Sequence, residues 1–366
     1  MLDGILETKF HTPLWRSDGV IRPRLFDQLQ AGLVEQRKLT MVSAPAGYGK
    51  TTLITSWLSS VTESTPSIWL SLEKSDNDPA RFLSYWATAW NRISDIPLEN
   101  IQDLLDMPQL PPFQSILDEV INPLARFNRS AILVLDDYHT ITNALIHEML
   151  AYFLEHQPHQ AHLVIITRSD PPFPLARLRA RRQMVEVRAS DLRFTEEEAS
   201  HFFHQSMQLM LEEEDILSLE LRTEGWAVGL QLAALALKNL PDPREFVETF
   251  RGSHRYVLDY LAEEVIRQQR DEIREFLIRI SILERFNAAS CEAITGYPDS
   301  QGLLSELEQA NLFLIPLDDD RVWYRYHHLF ADFLRTELSK NETEKLYKKA
   351  AHWHEQNEFL SEAVQY

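Results

Sequence analysis

MVSAPAGYGKTTLITSW, residues 41–57, decides how the chain is read. A short apolar run gives way to small residues, then to a lysine and two threonines, and a helical pattern follows. From Ala44 to Thr51 the spacing is that of a phosphate loop, with Ala44 where the first glycine usually stands. Small residues let a loop through Pro45, Ala46, Gly47, Tyr48 and Gly49 turn backbone N–H groups toward an anion. In that arrangement Lys50 reaches the β- and γ-phosphates and the Thr51 hydroxyl is offered to Mg2+. Thr52 continues into a helix whose positive end meets the same anion.

A phosphate loop needs an acidic strand end nearby, and AILVLDDYH, residues 131–139, supplies one. Four apolar residues run into Asp136 and Asp137 at the carboxyl end, where open α/β sheets bind ligands. Asp136 is the expected Mg2+ ligand, through water, and Asp137 the residue that positions or deprotonates the attacking water. The next apolar run ends HLVIITRSDPP, so Thr167 and Arg168 emerge on the same edge, where they can sense a γ-phosphate; Arg168 can equally cap its strand or pair with an acid. Upstream, DGVIRPRLFDQL places Val20 and Ile21 to pack on a base and Arg22 and Arg24 to approach phosphate or ribose. The same residues also read as an ordinary helix start, with Pro23 in the first turn.

Around these motifs the first half alternates apolar runs with helical patterns, as parallel strands joined by crossover helices do. Strands are expected at 39–43, 67–72, 131–137, 162–167 and 184–188, all rich in Val, Ile and Leu and covered on both faces. ARFLSYWATAW and ALIHEMLAYFLEH carry apolar residues at helical spacing, which makes Phe82, Tyr85, Trp86 and Trp90 core. The texture changes after DLRFTEEEA, where Thr195 and Glu198 form a capping box. Helices then follow one another to about residue 280, among them GWAVGLQLAALALK at 225–238, whose Trp226 sets the packing. NLFLIPLDDDRVWYRYHHL reads as a hairpin turning at the acidic 318–320, within a small winged-helix-like unit. The last segment has the Tyr, Ala and Trp pattern of a helical-repeat hairpin, broken off within its second helix, so the natural protein is expected to continue.

The predicted fold class is therefore α/β, a parallel-sheet P-loop NTPase domain to about residue 190, followed by helices to about 280, a winged-helix-like unit over 281–340 and the start of a helical repeat over 341–366.

A length of 366 residues suits two or three cores. The net charge of −19 argues against general nucleic-acid binding and against anionic lipid surfaces. One cysteine, Cys291, excludes an internal disulfide framework and fits a reducing, cytoplasmic setting. The N-terminus MLDGILETKFHTP lacks the apolar core of a signal peptide, and no apolar run is long enough to span a membrane. The arginines at 177, 179, 181, 182 and 188 lack interleaved aromatics and are expected to meet acids of their own chain. His156, His159 and His162, and the pair His201 and His204, have no Cys or acid to complete a metal set and read as loop and surface residues.

Taken in order, SAPAGYGKTTL, VLDDYH, ITRSDPP, RFTEEEA, GWAVGLQL and YRYHHLFADFL resemble the nucleotide-binding part of MalT-like transcription activators, the large LuxR-type regulators of the STAND class. The resemblance runs over almost the whole chain, and it implies an ATPase domain with an N-terminal adenine-binding segment at 1–190, a helical lid domain at 191–280, a winged-helix domain at 281–340 and the start of a truncated helical-repeat sensor at 341–366. It implies an ATP/ADP switch requiring Mg2+, in which Lys50, Thr51, Asp136 and Asp137 match the phosphate, magnesium and hydrolytic residues and Arg168 the sensor after the fourth strand. It places His327 against the ADP β-phosphate, although the family more often has Pro where this chain has His328, so either histidine can fill the place. It implies self-association when ATP and inducer are bound, and DNA contact only through a C-terminal domain absent from this chain. Two other classes remain open from the residues alone: a P-loop ATPase or phosphotransferase working at high turnover, and a scaffold in which nucleotide is purely structural.

Overall fold

The computed structural model describes residues 5–15, 18–61, 65–94, 101, 103–104, 107, 111–238 and 243–366, so MLDG of the N-terminal stretch lies outside the described residues. The chain divides into two compact units. The first comprises Met1–Ala44 and Gly49–Leu192, and the second Pro45–Tyr48 and Arg193–Tyr366.

The first unit is built on a five-stranded parallel sheet of order β2-β3-β4-β1-β5. The strands are β1 Leu39–Ser43, β2 Ser67–Ser71, β3 Ala131–Asp136, β4 Ala161–Thr167 and β5 Met184–Arg188. Every residue of β1, β3 and β4 is buried, which is why these runs are apolar without alternation. Register brings Ser43 beside both Thr167 and Arg188, and Ser71 beside Asp136, so the polar strand ends share one edge. Helices Lys50–Val61, Pro79–Ser94, Phe113–Leu124 and Ala144–His156 belong to this unit. Phe82, Tyr85, Trp86 and Trp90 are buried as the spacing predicts, and Trp86 meets the Phe153 ring edge-on at 4.7 Å. Asn143 opens the helix at Ala144 by accepting from the Leu145 N–H.

One histidine departs from its expected place. His162 is not a surface residue: it is buried inside β4, its Nε2 2.9 Å from Thr40 Oγ1 and its Nδ1 2.7 Å from the Arg37 carbonyl. The polar run EHQPHQA before it looks like loop, yet β4 already begins at Ala161, and the two side partners make a polar ring tolerable in the core. His156 and His159 are exposed, and among the described residues no group of three or more His, Cys, Asp or Glu side chains is arranged to hold a metal. Arg177 pairs with Glu155, Arg179 with Glu186, and Arg188 with Asp170 and Glu186, so three of the five arginines meet acids of their own unit, while Arg181 and Arg182 have no acid partner among the described residues.

The second unit is helical. Thr195 and Glu198 form the predicted capping box on the helix Glu196–His201. Glu213–Thr223, Ala227–Leu237, Arg255–Glu264 and Asp271–Ile280 follow. Gly225, at φ +66°, stands between the first two of these; a Cβ there would come within 2.5 Å of the Phe194 carbonyl oxygen, so only glycine fits. Beyond residue 280, helices Ala288–Thr295 and Ser300–Gln309 lead into the antiparallel hairpin β6 Leu314–Pro316 and β7 Tyr324–Tyr326. Its acidic turn is ordered from within, because the Asp318 carboxylate accepts from the N–H groups of Val322 and Trp323. An antiparallel bridge joins Phe286 to Tyr324. The unit ends with helices His328–Thr336, Lys340–Gln356 and Leu360–Ala363. Among the described residues, no helix of the chain is long and apolar enough to cross a membrane.

Candidate functional site

At the carboxyl edge of the sheet in the first unit, three side chains from two segments meet. Lys50, the first residue of its helix, is buried and donates from Nζ to the Ala44 carbonyl at 2.8 Å. The Thr51 hydroxyl lies 3.3 Å from each carboxylate oxygen of Asp136, across 85 residues of sequence. Asp136 is 6% exposed, and the N–H of Asp137 donates to its Oδ1 at 3.0 Å. A hydroxyl facing a buried carboxylate is a hard-oxygen donor set that suits a cation such as Mg2+.

Electrostatics mark the same spot. Burial, followed by the Arg168 charge, lowers Lys50 to about 8, against the pull of Asp137 and Asp136. Burial and the neighbouring Asp137 raise Asp136 to about 7, so the carboxylate lacks enough positive charge around it. A buried cation and a buried acid, each shifted against its charged form, constitute a site that an anion and a metal would stabilise. Asp137 has left-handed backbone geometry, φ 56°, and turns an exposed side chain to solvent.

His139, two residues further on, was missed by motif reading. Its Nδ1 stands 3.8 Å from Asp137 Oδ1, and burial, with help from Arg168 and Lys50, lowers it to about 4. Its signal was present in DDYH, but only the fold turns that histidine toward the acid.

Of the other predicted residues in this unit, Arg22 is buried with Nη1 donating to the Leu192 carbonyl at 3.0 Å, while Ile21 and Arg24 are exposed and Val20 is half-buried. Pro23 begins the helix Pro23–Val34 as its first residue. Thr52 is exposed on the first turn of its own helix.

The remainder of the loop, Pro45–Tyr48, packs as part of the second unit. Gly47 and Gly49 have φ of +79° and +75°, which glycine adopts without strain. A Cβ on Gly47 would lie 2.8 Å from Trp226 Nε1 and 2.9 Å from the Tyr260 hydroxyl, so the loop backbone is closely covered. Trp226 Nε1 donates to the Ala46 carbonyl at 3.1 Å, and the Val228 N–H donates to the Gly47 carbonyl at 3.0 Å. The Trp226 ring in turn contacts Phe313 and His327 edge-on. Tyr48 is buried, 6.1 Å from Phe313 between ring centroids.

His327 is fully buried at the start of its helix, with Nε2 2.8 Å from the Thr223 carbonyl. Because a carbonyl only accepts, Nε2 carries the proton and Nδ1 is a bare lone pair, without a partner among the described residues. Burial lowers His327 to about 4, so the ring is neutral at ordinary pH. His328 is the exposed one of the two; its backbone N–H donates to Glu224 at 3.0 Å. Glu224 is a buried hub: Arg325 donates to both its oxygens at 2.8 Å, and Arg193 lies at 3.3 Å.

Residues 262–346 match the MalT winged helix domain family. The chain is MalT-like. It is 36% identical over 337 residues to the HTH-type transcriptional regulator MalT of Vibrio parahaemolyticus, covering 91% of this chain and 36% of that protein. It is 34% identical over 367 residues to the MalT regulator of Cronobacter sakazakii, covering 98% of this chain and 40% of that one. The MalT-like chain thus spans less than half the length of these curated relatives. Among solved structures, a Walker-type ATPase of Pyrococcus abyssi superposes with a TM-score of 0.58 at 13% identity, over 89% of this chain and 98% of that one, which supports the P-loop fold.

Proposed function

We propose that the chain is the ATP/ADP-responsive switch part of a MalT-like transcription regulator. The observation that carries this reading is the approach of Thr51 to Asp136 beside buried Lys50, a phosphate-and-metal donor set in a MalT-like chain. Lys50 would hold the β- and γ-phosphates, with the N–H groups of the loop from Ala46 to Thr52 around them. Thr51 and Asp136 would hold Mg2+, which when bound neutralises phosphate charge. Asp137 would orient the attacking water, and Arg168 would respond to the γ-phosphate. Val20 and Ile21 would flank the base, with Arg22 and Arg24 approaching phosphate or ribose.

The second unit would read the state of the loop, since Ala46 and Gly47 are bonded to Trp226 and Val228 in it and the Trp226 ring meets His327. A phosphate oxygen near His327 needs a donor, and bare Nδ1 becomes one only by taking up a proton. ADP would then favour a clamped resting form, and exchange for ATP with an inducer would favour self-assembly. The inducer sensor and the DNA reader would belong to other parts of the protein, working in the cytoplasm. The division into ATPase domain, lid, winged helix and sensor start, at 190, 280 and 340, belongs to the same reading.

A switch hydrolyses slowly because the change of state, not turnover, is the output. Steady-state turnover tests this: tight one-to-one nucleotide binding with turnover below about one per second is expected, as for unassisted P-loop switches. Sustained turnover of many per second without any inducer would reject the switch.

A further inference from the structure

The second unit contains a cavity of about 780 Å3 that the nucleotide reading does not use. That volume suits a drug-sized molecule. Part of its wall is apolar, with Leu221, Phe250, Leu283 and Leu329. The remainder is cationic, with four arginines against Glu284 and Asp332.

The arginines are not equally engaged. Arg325 is held by Glu224 through both nitrogens, and Arg335 donates to the Ser281 carbonyl and lies 3.4 Å from Asp332. Arg222 has only long bonds of 3.4 Å, to Ser218 Oγ and the Phe250 carbonyl. Arg251 is exposed, and neither it nor Arg222 has a carboxylate partner among the described residues. Two guanidinium groups without acids, at the wall of a partly apolar cavity, suit an oxyanion carried on an apolar body.

We propose that this cavity binds a small organic anion, a carboxylate or phosphate carried on an apolar group, through Arg222 and Arg251. The anionic head lies against the two guanidinium groups, and the apolar body lies against Phe250 and Leu283. Arg325 and His328 line the same cavity and both reach Glu224, so an occupant also borders the Glu224 hub. The inference stands apart from the nucleotide reading, because none of these groups is in the phosphate loop.

Calorimetric titration of the full chain with phenyl phosphate, and separately with phthalate, tests it. One-to-one binding of at least one probe is expected, and the better of the two tells a phosphate ligand from a carboxylate one. Arg251→Ala should weaken it about tenfold, and Arg222→Ala with Arg251→Ala by more, as for lost charge-assisted hydrogen bonds. Arg251 is exposed, so its replacement leaves the fold in place, which an unchanged melting temperature verifies. Lys50→Ala should retain binding of the same probe. Absence of binding by both probes at millimolar concentration overturns the proposal. So does affinity that is indifferent to Arg251→Ala, or binding that disappears in Lys50→Ala.

Discussion

The indole Nε1 of Trp226 donates to the carbonyl oxygen of Ala46 at 3.1 Å, across 180 residues of sequence. One hydrogen bond thereby ties the start of the helix Ala227–Leu237 to the loop segment Pro45–Tyr48. Trp226→Phe keeps most of the buried ring contact and removes only the donor. We expect a stability loss of about 1 kcal/mol in urea unfolding and a several-fold faster ADP release in stopped flow. Unchanged release would mean that this bond does not hold the loop.

If Asp136 holds Mg2+, it should set the pH dependence of metal binding. Burial, then Asp137, raises it from 3.8 to about 7, and Mg2+ needs the ionised form. Its folded value lies above its unfolded one, so the metal-free chain has this contribution in full below about 4 and loses it as pH rises through about 7. Magnesium should reverse that loss. Calorimetry in two buffers of different ionisation heat should find Mg2+ affinity rising from pH 6 to 8, with proton release greatest below pH 7. Asp136→Asn should abolish both effects.

Glu224 should carry an acid-sensitive part of the stability of the second unit. Burial alone would raise it; the Arg325 fork and the His328 N–H outweigh burial and hold it at about 2, with His327 adding to this only when protonated. A carboxylate with a lowered folded value contributes above its usual 4.5 and loses that contribution as pH falls toward 2. Glu224→Gln leaves Arg325 without its charge partner, at a cost of roughly 3 kcal/mol in the folded state. Thermal melts should place the variant well below wild type at pH 7 and close to it near pH 2.

His327 makes a proton prediction. Its Nδ1 is bare and buried, so an ADP phosphate near it requires protonation of a ring that otherwise titrates at about 4. In metal-free solution at pH 6, wild type should take up more protons on binding ADP than His327→Gln does. Equal uptake would remove His327 from the nucleotide reading and leave it a packed residue bonded to Thr223.

The parts legible in the sequence are those encoded locally. The strand runs, the loop from Ala44 to Thr51, the end of β3 at Asp136 and the Thr195 capping box are each contained in fewer than ten consecutive residues. What escaped depends on partners far apart. Glu224 and Arg325 are separated by 101 residues, and nothing in LRTEGW announces that its acid will be buried under a guanidinium. His162 was misjudged because its N-terminal neighbours are polar, while its actual partner, Thr40, lies on another strand. The roles of the two histidines at 327 and 328 could be separated only by burial, which puts one in the core and leaves the other in solvent.

Nucleotide binding by wild type and Lys50→Ala, measured side by side, tests the central claim most directly. Lys50 is already displaced to about 8 by burial and Arg168, so a phosphate relieves a charge that the protein otherwise strains to keep. Wild type should bind one ADP or ATP per chain, with at least a hundredfold loss in Lys50→Ala, the order expected when a buried charge-assisted contact is removed. Equal affinity in the two proteins, or no nucleotide bound by wild type, would contradict the account.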